Sequence, residues 1–414
     1  MSVSNIISQN WLPGGVCAPK GFKAGGIHCG IRKNAAKKDL ALILADQPGD
    51  AAAVYTRNKV FGAPITVTRQ HLANGKAQAM LCNSGNANTC NADGVDIANA
   101  MCALLASSSG IDADDIIIAS TGVIGQPLSL APFETGIPAL AGQLSASAEG
   151  ALASAEAIMT TDSRVKQAAL TVDIDGSAVT IGAMCKGSGM IAPNMATMLC
   201  FVTTDASIDS AMLHRALFTA VDSSFNRVVV DGDTSTNDMV SIIASGEAGN
   251  QRITTDGRLF DKFADALTIV LTKLAREVAK DGEGATKLIT VNVKGAPSGG
   301  LARDIARSVV TSPLCKTAIF GSDANFGRFL CAIGYTPGEF AVDLISASIA
   351  SDAGSMPVCE RGIILPFSEE TALTILKRPD IDINIDLNQG EGSATAWGCD
   401  LSYEYVHING DYRS

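Results

Sequence analysis

The segment from Arg258 to Lys280 constrains the fold of this chain more than any other stretch. Its apolar side chains recur at intervals of three and four residues, the spacing of one face of an α-helix. The recurring residues are Leu259, Phe263, Leu267, Val270, Leu271, Leu274 and Val278. Gly282 and Gly284 end this pattern, and the strand-like run KLITVNVKG follows. The segment therefore predicts a long amphipathic helix joined to a strand, with Glu283 in the loop between them.

Strand-like and helical patterns alternate through the rest of the chain and predict a mixed α/β fold. The runs DLALILA, AAVYT, ITVT and DDIIIAS are typical of strands, and residues 95–109 and 139–158 of helices. Asp175 and Gly176 lie between two alternating runs, which predicts a β-hairpin. The length of 414 residues suits two domains or one large α/β unit, and no linker marks a boundary.

Composition argues against several classes of partner. The formal net charge is −11 and no long Lys/Arg run occurs, so nucleic acid is not an expected partner. The eleven cysteines and four histidines are scattered, which favours free thiols in a reducing compartment and no metal site. The N-terminus lacks the pattern of a signal or transit peptide, and no apolar span approaches the ~20 residues of a membrane helix. A cytoplasmic protein without a membrane partner is expected.

The segment GSGMIA, from Gly187 to Ala192, formally matches the dinucleotide fingerprint G-x-G-x-x-A, and Asp209 lies twenty residues after Gly189. That fingerprint needs a helix directly afterwards, whose N-terminus faces the pyrophosphate. The following MATMLCFVTT is apolar, β-branched and strand-like instead. The sequence therefore argues against a nucleotide site here, and a flexible turn remains an open interpretation.

Thr197 stands where this glycine loop meets the strand-like run, which makes it a candidate nucleophile. Its hydroxyl could attack the Ala196 carbonyl, and hydrolysis of the resulting ester would leave Thr197 as a new chain terminus. A free α-amine has a pKa near ~8, so it can act as general base for its own hydroxyl. The segment STGVIG offers the Thr121 hydroxyl and the Gly122 amide as donors to an oxyanion. From the residues alone, the favoured interpretation is that Gly122 and Gly125 only permit a turn.

A set of ordered motifs covers nearly the whole chain and resembles the ornithine acetyltransferase (ArgJ) family of arginine biosynthesis. The motifs are APKGFKAGG, NSGNANTCNADG, STGVIG, MTTD, KGSGMIAPNMATML, DGDTSTND, GEGATKLI, SPLCKTAIFG, GRFLCAIGY and YVHINGDYRS. The resemblance implies an α/β sandwich of the ArgJ/DmpA type that cleaves itself between Ala196 and Thr197. An α chain of residues 1–196 and a β chain of residues 197–414 would form one catalytic unit, paired as a heterotetramer of two α and two β chains.

The resemblance also implies roles for individual residues. Thr197 would be the nucleophile, and Thr121 and Gly122 would form the oxyanion hole. The implied substrate contacts are Thr160, Lys186, Thr197, Glu283, Asn409 and Ser414. Lys186 and Glu283 would suit a substrate that carries both a carboxylate and an ammonium group. Ser414 stands where the family usually has threonine, and it keeps the hydroxyl.

The implied reaction is acetyl transfer from N2-acetylornithine to glutamate through an acetyl-threonine, with ping-pong kinetics and no cofactor. Three alternatives remain open at this point. The enzyme could also accept acetyl from acetyl-CoA as a second donor. It could instead be an amidase or aminopeptidase of the DmpA type, with water as the acceptor. Finally, it could be an uncleaved binding protein that retains the fold.

Overall fold

The computed structural model describes residues 10–192 and 198–411 of the chain, which form two β-sheets surrounded by helices. The strands are β1 (Trp11–Leu12), β2 (Phe22–Ile27), β3 (Leu40–Tyr55), β4 (Lys76–Asn86), β5 (Ile116–Val123), β6 (Lys166–Ile174), β7 (Ser177–Lys186), β8 (Leu199–Thr204), β9 (Val228–Val229), β10 (Met239–Ala244), β11 (Leu288–Ala296), β12 (Ser346–Ser351), β13 (Gly354–Glu360), β14 (Ile363–Ile364), β15 (Asp380–Asp386) and β16 (Gly392–Cys399). The helices are α1 (Ala63–His71), α2 (Gly94–Ser109), α3 (Ala131–Ala141), α4 (Ala148–Ala157), α5 (Ser210–Ser223), α6 (Arg258–Lys280), α7 (Gly299–Thr311), α8 (Pro313–Phe320), α9 (Gly327–Gly334), α10 (Glu369–Leu376) and α11 (Tyr403–Asp411).

The larger sheet has the strand order β1-β6-β7-β8-β10-β3-β4-β5, and β2 pairs with β3 outside this path. Helices cover both of its faces. Alternate side chains of each strand point to opposite faces, so each strand contributes to the packing on both sides. Val202 and Val240 belong to the apolar cluster that includes α5 and α6, whereas Phe201 and Ile243 belong to the cluster that includes α4. Strands buried on both faces need continuous apolar runs, which explains the composition of β8 and β10.

The smaller sheet has the order β14-β13-β12-β15-β11-β16-β9. Apolar side chains of its strands pack in one cluster with residues of α7, α8, α9 and α10. Helix α6 connects the two sheets, since its apolar face shares a cluster with strands of the larger sheet and with Leu288, Trp397 and Cys399 of the smaller one. Helix α6 therefore packs against strands of both sheets.

Several predicted elements are confirmed. Helix α6 spans the predicted residues, and its apolar face is buried. Ile174 pairs with Ser177, while Asp175 and Gly176 have φ of 52° and 83°, as a two-residue hairpin of type I′ requires. The runs DLALILA and AAVYT prove to be parts of one long strand, β3. All eleven cysteines are free thiols, and most are buried.

Two predicted elements are wrong in part. The run ITVT lies in helix α1, where Pro64 occupies the first turn and Ile65 and Val67 are buried; a short apolar run does not distinguish a strand from a buried helix. Residues 139–158 form parts of two helices rather than one. Ser147 begins the second, α4, by accepting a hydrogen bond from the Gly150 N–H.

Within the described ranges, no helix combines the length and the apolar composition that crossing a lipid bilayer requires.

Candidate active site

A single cavity of about 150 Å³ gathers the predicted site residues that the structure describes. These residues are Thr121, Gly122, Thr160, Lys186, Glu283 and Asn409. They come from positions spread over nearly 300 residues of sequence, so the folded chain rather than local spacing brings them together. Ala196, Thr197 and Ser414 lie outside the described residues. The individual roles of all these residues remain predictions.

Thr121 and Gly122 lie near the end of β5, beside the parallel strand β4. Gly122 faces Gly85 across the two strands and has φ of 134°, a conformation that side chains rarely adopt. A Cβ at position 122 would lie 2.3 Å from the carbonyl carbon of Gly85. Only glycine fits at this position, and the site therefore has exposed backbone rather than a side chain next to Thr121.

Asn237 is a cavity residue to which the sequence assigned no role. Its side-chain amide donates to the carbonyl oxygens of Ala87 and Ser120, at 2.6 and 2.9 Å. Its side-chain oxygen accepts from the hydroxyls of Thr89 and Thr236, both at 2.6 Å. This buried amide therefore fixes the backbone directly before Thr121. Asn237 lies in the motif DGDTSTND, which marked the segment as part of the family pattern. The motif did not indicate which residues Asn237 contacts.

Lys186 ends strand β7 and is only 9% exposed. Its ammonium group donates to the Thr121 hydroxyl oxygen at 3.4 Å, although 65 residues separate the two in sequence. Strands β5 and β7 lie far apart in the strand order of the sheet. The Lys186 side chain nevertheless contacts Thr121, and it places a buried positive charge next to the predicted oxyanion donors.

Asp162 neutralises part of the positive charge beneath the cavity. It is buried, and it accepts from Lys166 Nζ at 2.7 Å and from the N–H groups of Thr160 and Gly187 at 2.9 and 2.8 Å. Burial alone would raise the pKa of Asp162, but the charges of Lys186 and Lys166 outweigh burial and lower that pKa to about 2. Asp162 is therefore ionised near neutral pH and holds two site segments through its backbone contacts.

Glu283 lies in the predicted loop between α6 and β11 and is 8% exposed. Its N–H donates to the Ser188 carbonyl at 3.0 Å, and its carboxylate accepts from the Asn409 amide at 2.8 Å. A Cβ on Gly189 would lie 2.3 Å from this carboxylate, so glycine at position 189 leaves room for the acid. Asn409 belongs to α11, none of whose residues is buried.

Lys186 and Glu283 give the cavity one positive and one negative group. Within the described parts of the chain, Lys186 and Glu283 do not form an ion pair with each other. The salt bridges shorter than 4.0 Å there join other residues. Separated charges of opposite sign in one small cavity complement a ligand with a carboxylate and an ammonium group. The arrangement is therefore suited to an amino acid or its N-acyl derivative.

The structure does not support a nucleotide site at Gly187–Gly189. The next described element is the strand β8, not the helix that a dinucleotide fingerprint requires. Across residues 10–192 and 198–411, no three His, Cys, Asp or Glu side chains are grouped so that they could hold a metal ion. That the chain works without a metal or cofactor stays a prediction.

Comparisons with known proteins show the family of this chain. The family model described as the ArgJ family matches residues 23–414. An arginine biosynthesis bifunctional protein ArgJ from Symbiobacterium thermophilum is 50% identical over 408 residues, covering 98% of this chain and 100% of that protein. The crystal structure of an arginine biosynthesis bifunctional protein argJ from Bacillus halodurans has 45% identity and a TM-score of 0.50, covering 52% of this chain and all of that chain.

An ornithine acetyltransferase from Mycobacterium tuberculosis, solved with ornithine, has 36% identity and a TM-score of 0.42, and covers 44% of this chain and 96% of that chain. Family model and near-complete relatives together identify this protein: it belongs to the ArgJ family.

Proposed function

We propose that this protein is a glutamate N-acetyltransferase that moves the acetyl group of N2-acetylornithine to glutamate in arginine biosynthesis. The observation that carries the proposal is the cavity in which Lys186 and Glu283 flank Thr121 and Gly122. Its volume of about 150 Å³ is on the scale of a small amino-acid derivative. Membership of the ArgJ family supports the same reaction.

The proposed catalytic cycle has two acyl transfers. The Thr197 hydroxyl attacks the acetyl carbonyl of N2-acetylornithine, and the C–N bond breaks as the departing ornithine amine takes a proton. Thr121 and Gly122 stabilise the oxyanion, with the ammonium group of Lys186 beside Thr121. The glutamate amine then attacks the threonine ester, which regenerates the hydroxyl and releases N-acetylglutamate. No cofactor takes part in this scheme.

The proposal includes self-cleavage between Ala196 and Thr197, which frees the α-amine that serves as general base. The Bacillus halodurans chain aligns over its full length but covers only 52% of this chain. Residues 197–414 are 218 of the 414 residues, which is a similar share. This agreement in length supports a mature enzyme of two chains. We include pairing into a heterotetramer of two α and two β chains and a cytoplasmic location as further parts of the proposal.

The decisive test is denaturing intact-mass spectrometry after brief exposure to N2-acetylornithine without glutamate. The expected result is two chains, residues 1–196 and 197–414, with one acetyl group on the second. Thr197→Ala should give one unmodified chain, whereas Thr197→Ser should still be cleaved. Acetate release without N-acetylglutamate when glutamate is added would favour the amidase reaction. A single wild-type chain that never takes up acetyl would support the binding-protein alternative.

A second cavity favours acetyl-CoA as an additional donor. It measures about 820 Å³ and shares Gly122, Thr160 and Thr161 with the smaller cavity. Arg32, Lys33 and Lys37 line it, although the protein as a whole carries a net charge of −11. Such a cavity has the size and charge for a phosphate-bearing donor that the smaller cavity cannot hold.

Turnover of acetyl-CoA and glutamate in the absence of acetylornithine tests this second donor. The double variant Lys33→Glu, Lys37→Glu should lose this activity at least tenfold and keep transfer from N2-acetylornithine. Lys377→Glu changes an exposed lysine at the end of α10 and is the matched control. Wild-type protein without acetyl-CoA turnover would exclude the second donor and leave the main reaction untouched.

A further inference from the structure

The loop of residues 231–238, DGDTSTND, contacts the last described residues before the proposed cleavage site. The two carboxylate oxygens of Asp231 accept hydrogen bonds from the N–H groups of Met190 and Ile191, at 2.6 and 2.8 Å. Bonds from backbone N–H groups to a carboxylate are among the stronger hydrogen bonds in proteins. One side chain thus fixes two successive peptide groups of the glycine-containing segment.

Two further bonds hold the same segment to this loop and to Val230, the residue directly before it. The Val230 N–H donates to the Ile191 carbonyl at 2.6 Å, and the Thr234 hydroxyl donates to the Ala192 carbonyl at 3.0 Å. Ile191 and Thr234 also form an isolated antiparallel bridge. Both N–H and carbonyl groups of residues 190–192 are therefore hydrogen-bonded to residues 230–234.

The conformation of Met190 shows that this contact shapes the backbone. Met190 has φ of 56°, in the left-handed region that a residue with a side chain rarely adopts. Its side chain is 42% exposed, so burial of the side chain does not explain the conformation. The Asp231 carboxylate explains it. A residue with left-handed backbone, next to residues with right-handed backbone, turns adjacent N–H groups toward a single anion.

The segment that Asp231 holds is also bound on its other side. The Gly187 N–H donates to Asp162, and the Ser188 hydroxyl donates to the Asp281 carbonyl at 2.8 Å. Residues 187–192 are thus attached at both ends to other parts of the fold.

We infer that Asp231 is the positioning residue for self-cleavage, which it promotes by fixing residues 190–192 on the N-terminal side of the Ala196–Thr197 bond. This inference rests on the proposed cleavage. In that step the Thr197 oxygen bonds to the Ala196 carbonyl carbon, the C–N bond breaks, and the amide nitrogen gains a proton. Water then hydrolyses the ester, which yields the Ala196 carboxylate and restores the hydroxyl. Asp231 forms no covalent bond in either step.

The test compares the cleavage rates of freshly synthesised precursors at a temperature well below unfolding. Asp231→Asn keeps the size of the side chain but presents an NH2 group to one of the two N–H donors. We expect its cleavage to be roughly 10- to 100-fold slower, the scale that misplacement of reacting groups produces. Asp233→Asn is the matched control, because Asp233 is exposed on the same loop and donates to Asp231 through its backbone N–H, which the substitution keeps.

Two additional measurements separate positioning from folding. In the Thr197→Ala background, which the mechanism predicts to stay intact, Asp231→Asn should melt within a few degrees of its parent. Material that is fully cleaved should keep kcat within about threefold of wild type. Should Asp231→Asn fail to fold, Thr234→Val decides the question. It removes only the bond to Ala192, and we expect its cleavage to be about three- to tenfold slower.

Cleavage of Asp231→Asn at the wild-type rate would overturn the inference, as would unchanged cleavage of Thr234→Val where the first variant does not fold. Wild-type precursor that never cleaves gives a different pattern, a single chain in every variant. That outcome would refute the proposed self-cleavage and this inference with it.

Discussion

The two sides of the candidate site are built differently. On the strand side, Thr121, Gly122 and Lys186 lie on β5 and β7 of the larger sheet, and buried hydrogen bonds fix their surroundings. On the loop side, Glu283 lies in a connection, and its partner Asn409 is exposed on α11. Groups that act on a transition state need fixed geometry, whereas groups that recognise two different amino acids in turn need adaptability. In the proposed mechanism the oxyanion donors Thr121 and Gly122 belong to the strand side, whereas Glu283, which would bind the substrate, belongs to the loop side.

The largest effect should follow from removing the charge on the strand side. Lys186→Met keeps most of the buried side chain and removes the ammonium group beside Thr121. We expect kcat/KM for N2-acetylornithine to fall roughly 10²- to 10³-fold, the usual cost of losing one preorganised donor. Steady-state kinetics measure this, with Lys377→Met as the exposed control. Retention of more than a tenth of the activity would contradict the assignment of chemistry to this side.

The next effect concerns stability and pH. The folded-state pKa of Asp162 is about 2 against an ordinary value of 3.8, so its ionised form stabilises the fold above pH 4 and this contribution disappears as pH falls toward 2. Asp162→Asn should therefore lower the free energy of unfolding near pH 7 by roughly 2–3 kcal/mol. The two proteins should converge in stability as the pH falls through that window.

Urea unfolding at several pH values, in the uncleaved Thr197→Ala background, measures this difference. Asp173→Asn is the control, because Asp173 is 69% exposed and its surface ion pair with Lys262 should contribute little. A stability gap between wild type and Asp162→Asn that stays constant from pH 7 to pH 2 would show that the Asp162 carboxylate is not the source.

A smaller effect is expected where the two sides meet. Gly189→Ala would place a methyl group 2.3 Å from the Glu283 carboxylate, and the end of that side chain can move aside. We expect KM for N2-acetylornithine to rise about tenfold, about 1.4 kcal/mol, with a smaller change in kcat. Gly334→Ala is the control, since its Cβ would meet nothing within 4 Å. A fall in kcat at unchanged KM would place Glu283 in the chemical step instead.

The smallest effect should come from the exposed end of the loop side. Asn409→Ala removes the 2.8 Å hydrogen bond to Glu283 and leaves the carboxylate accessible to water. We expect KM to rise about three- to fivefold with kcat unchanged, the scale of one partly buried hydrogen bond. Separate KM values for N2-acetylornithine and glutamate would show whether Asn409 serves both substrates. A loss of kcat as large as that of Lys186→Met would remove the distinction between the two sides.

The sequence pattern alone was sufficient to predict those elements whose residues repeat regularly or need an unusual backbone conformation. Helix α6 was predictable because its apolar face repeats over 23 residues, and the hairpin at Asp175 and Gly176 because its turn needs positive φ. The run ITVT was not, because four apolar and β-branched residues fit a strand or a buried helix equally well. Its state depends on what packs against it.

The site was predictable only through motifs. Lys186 and Thr121 are brought together by the tertiary fold, and no spacing rule joins positions 65 residues apart. Asn237 was missed because its role lies in bonds to Ala87 and Ser120, which are distant in sequence. A buried amide gives no sign in the sequence of which backbone groups it satisfies.

The position of β8 in the larger sheet has a consequence for folding after cleavage. Strand β8 begins at Leu199 and pairs with β7 on one edge and with β10 on the other, while β10 pairs with β3. A cut before Thr197 would thus nick the chain without separating the pieces, since strands of each piece alternate within one sheet. Once denatured, however, the pieces would have to find each other by diffusion. Refolding would then depend on protein concentration, whereas folding of the uncut precursor would not.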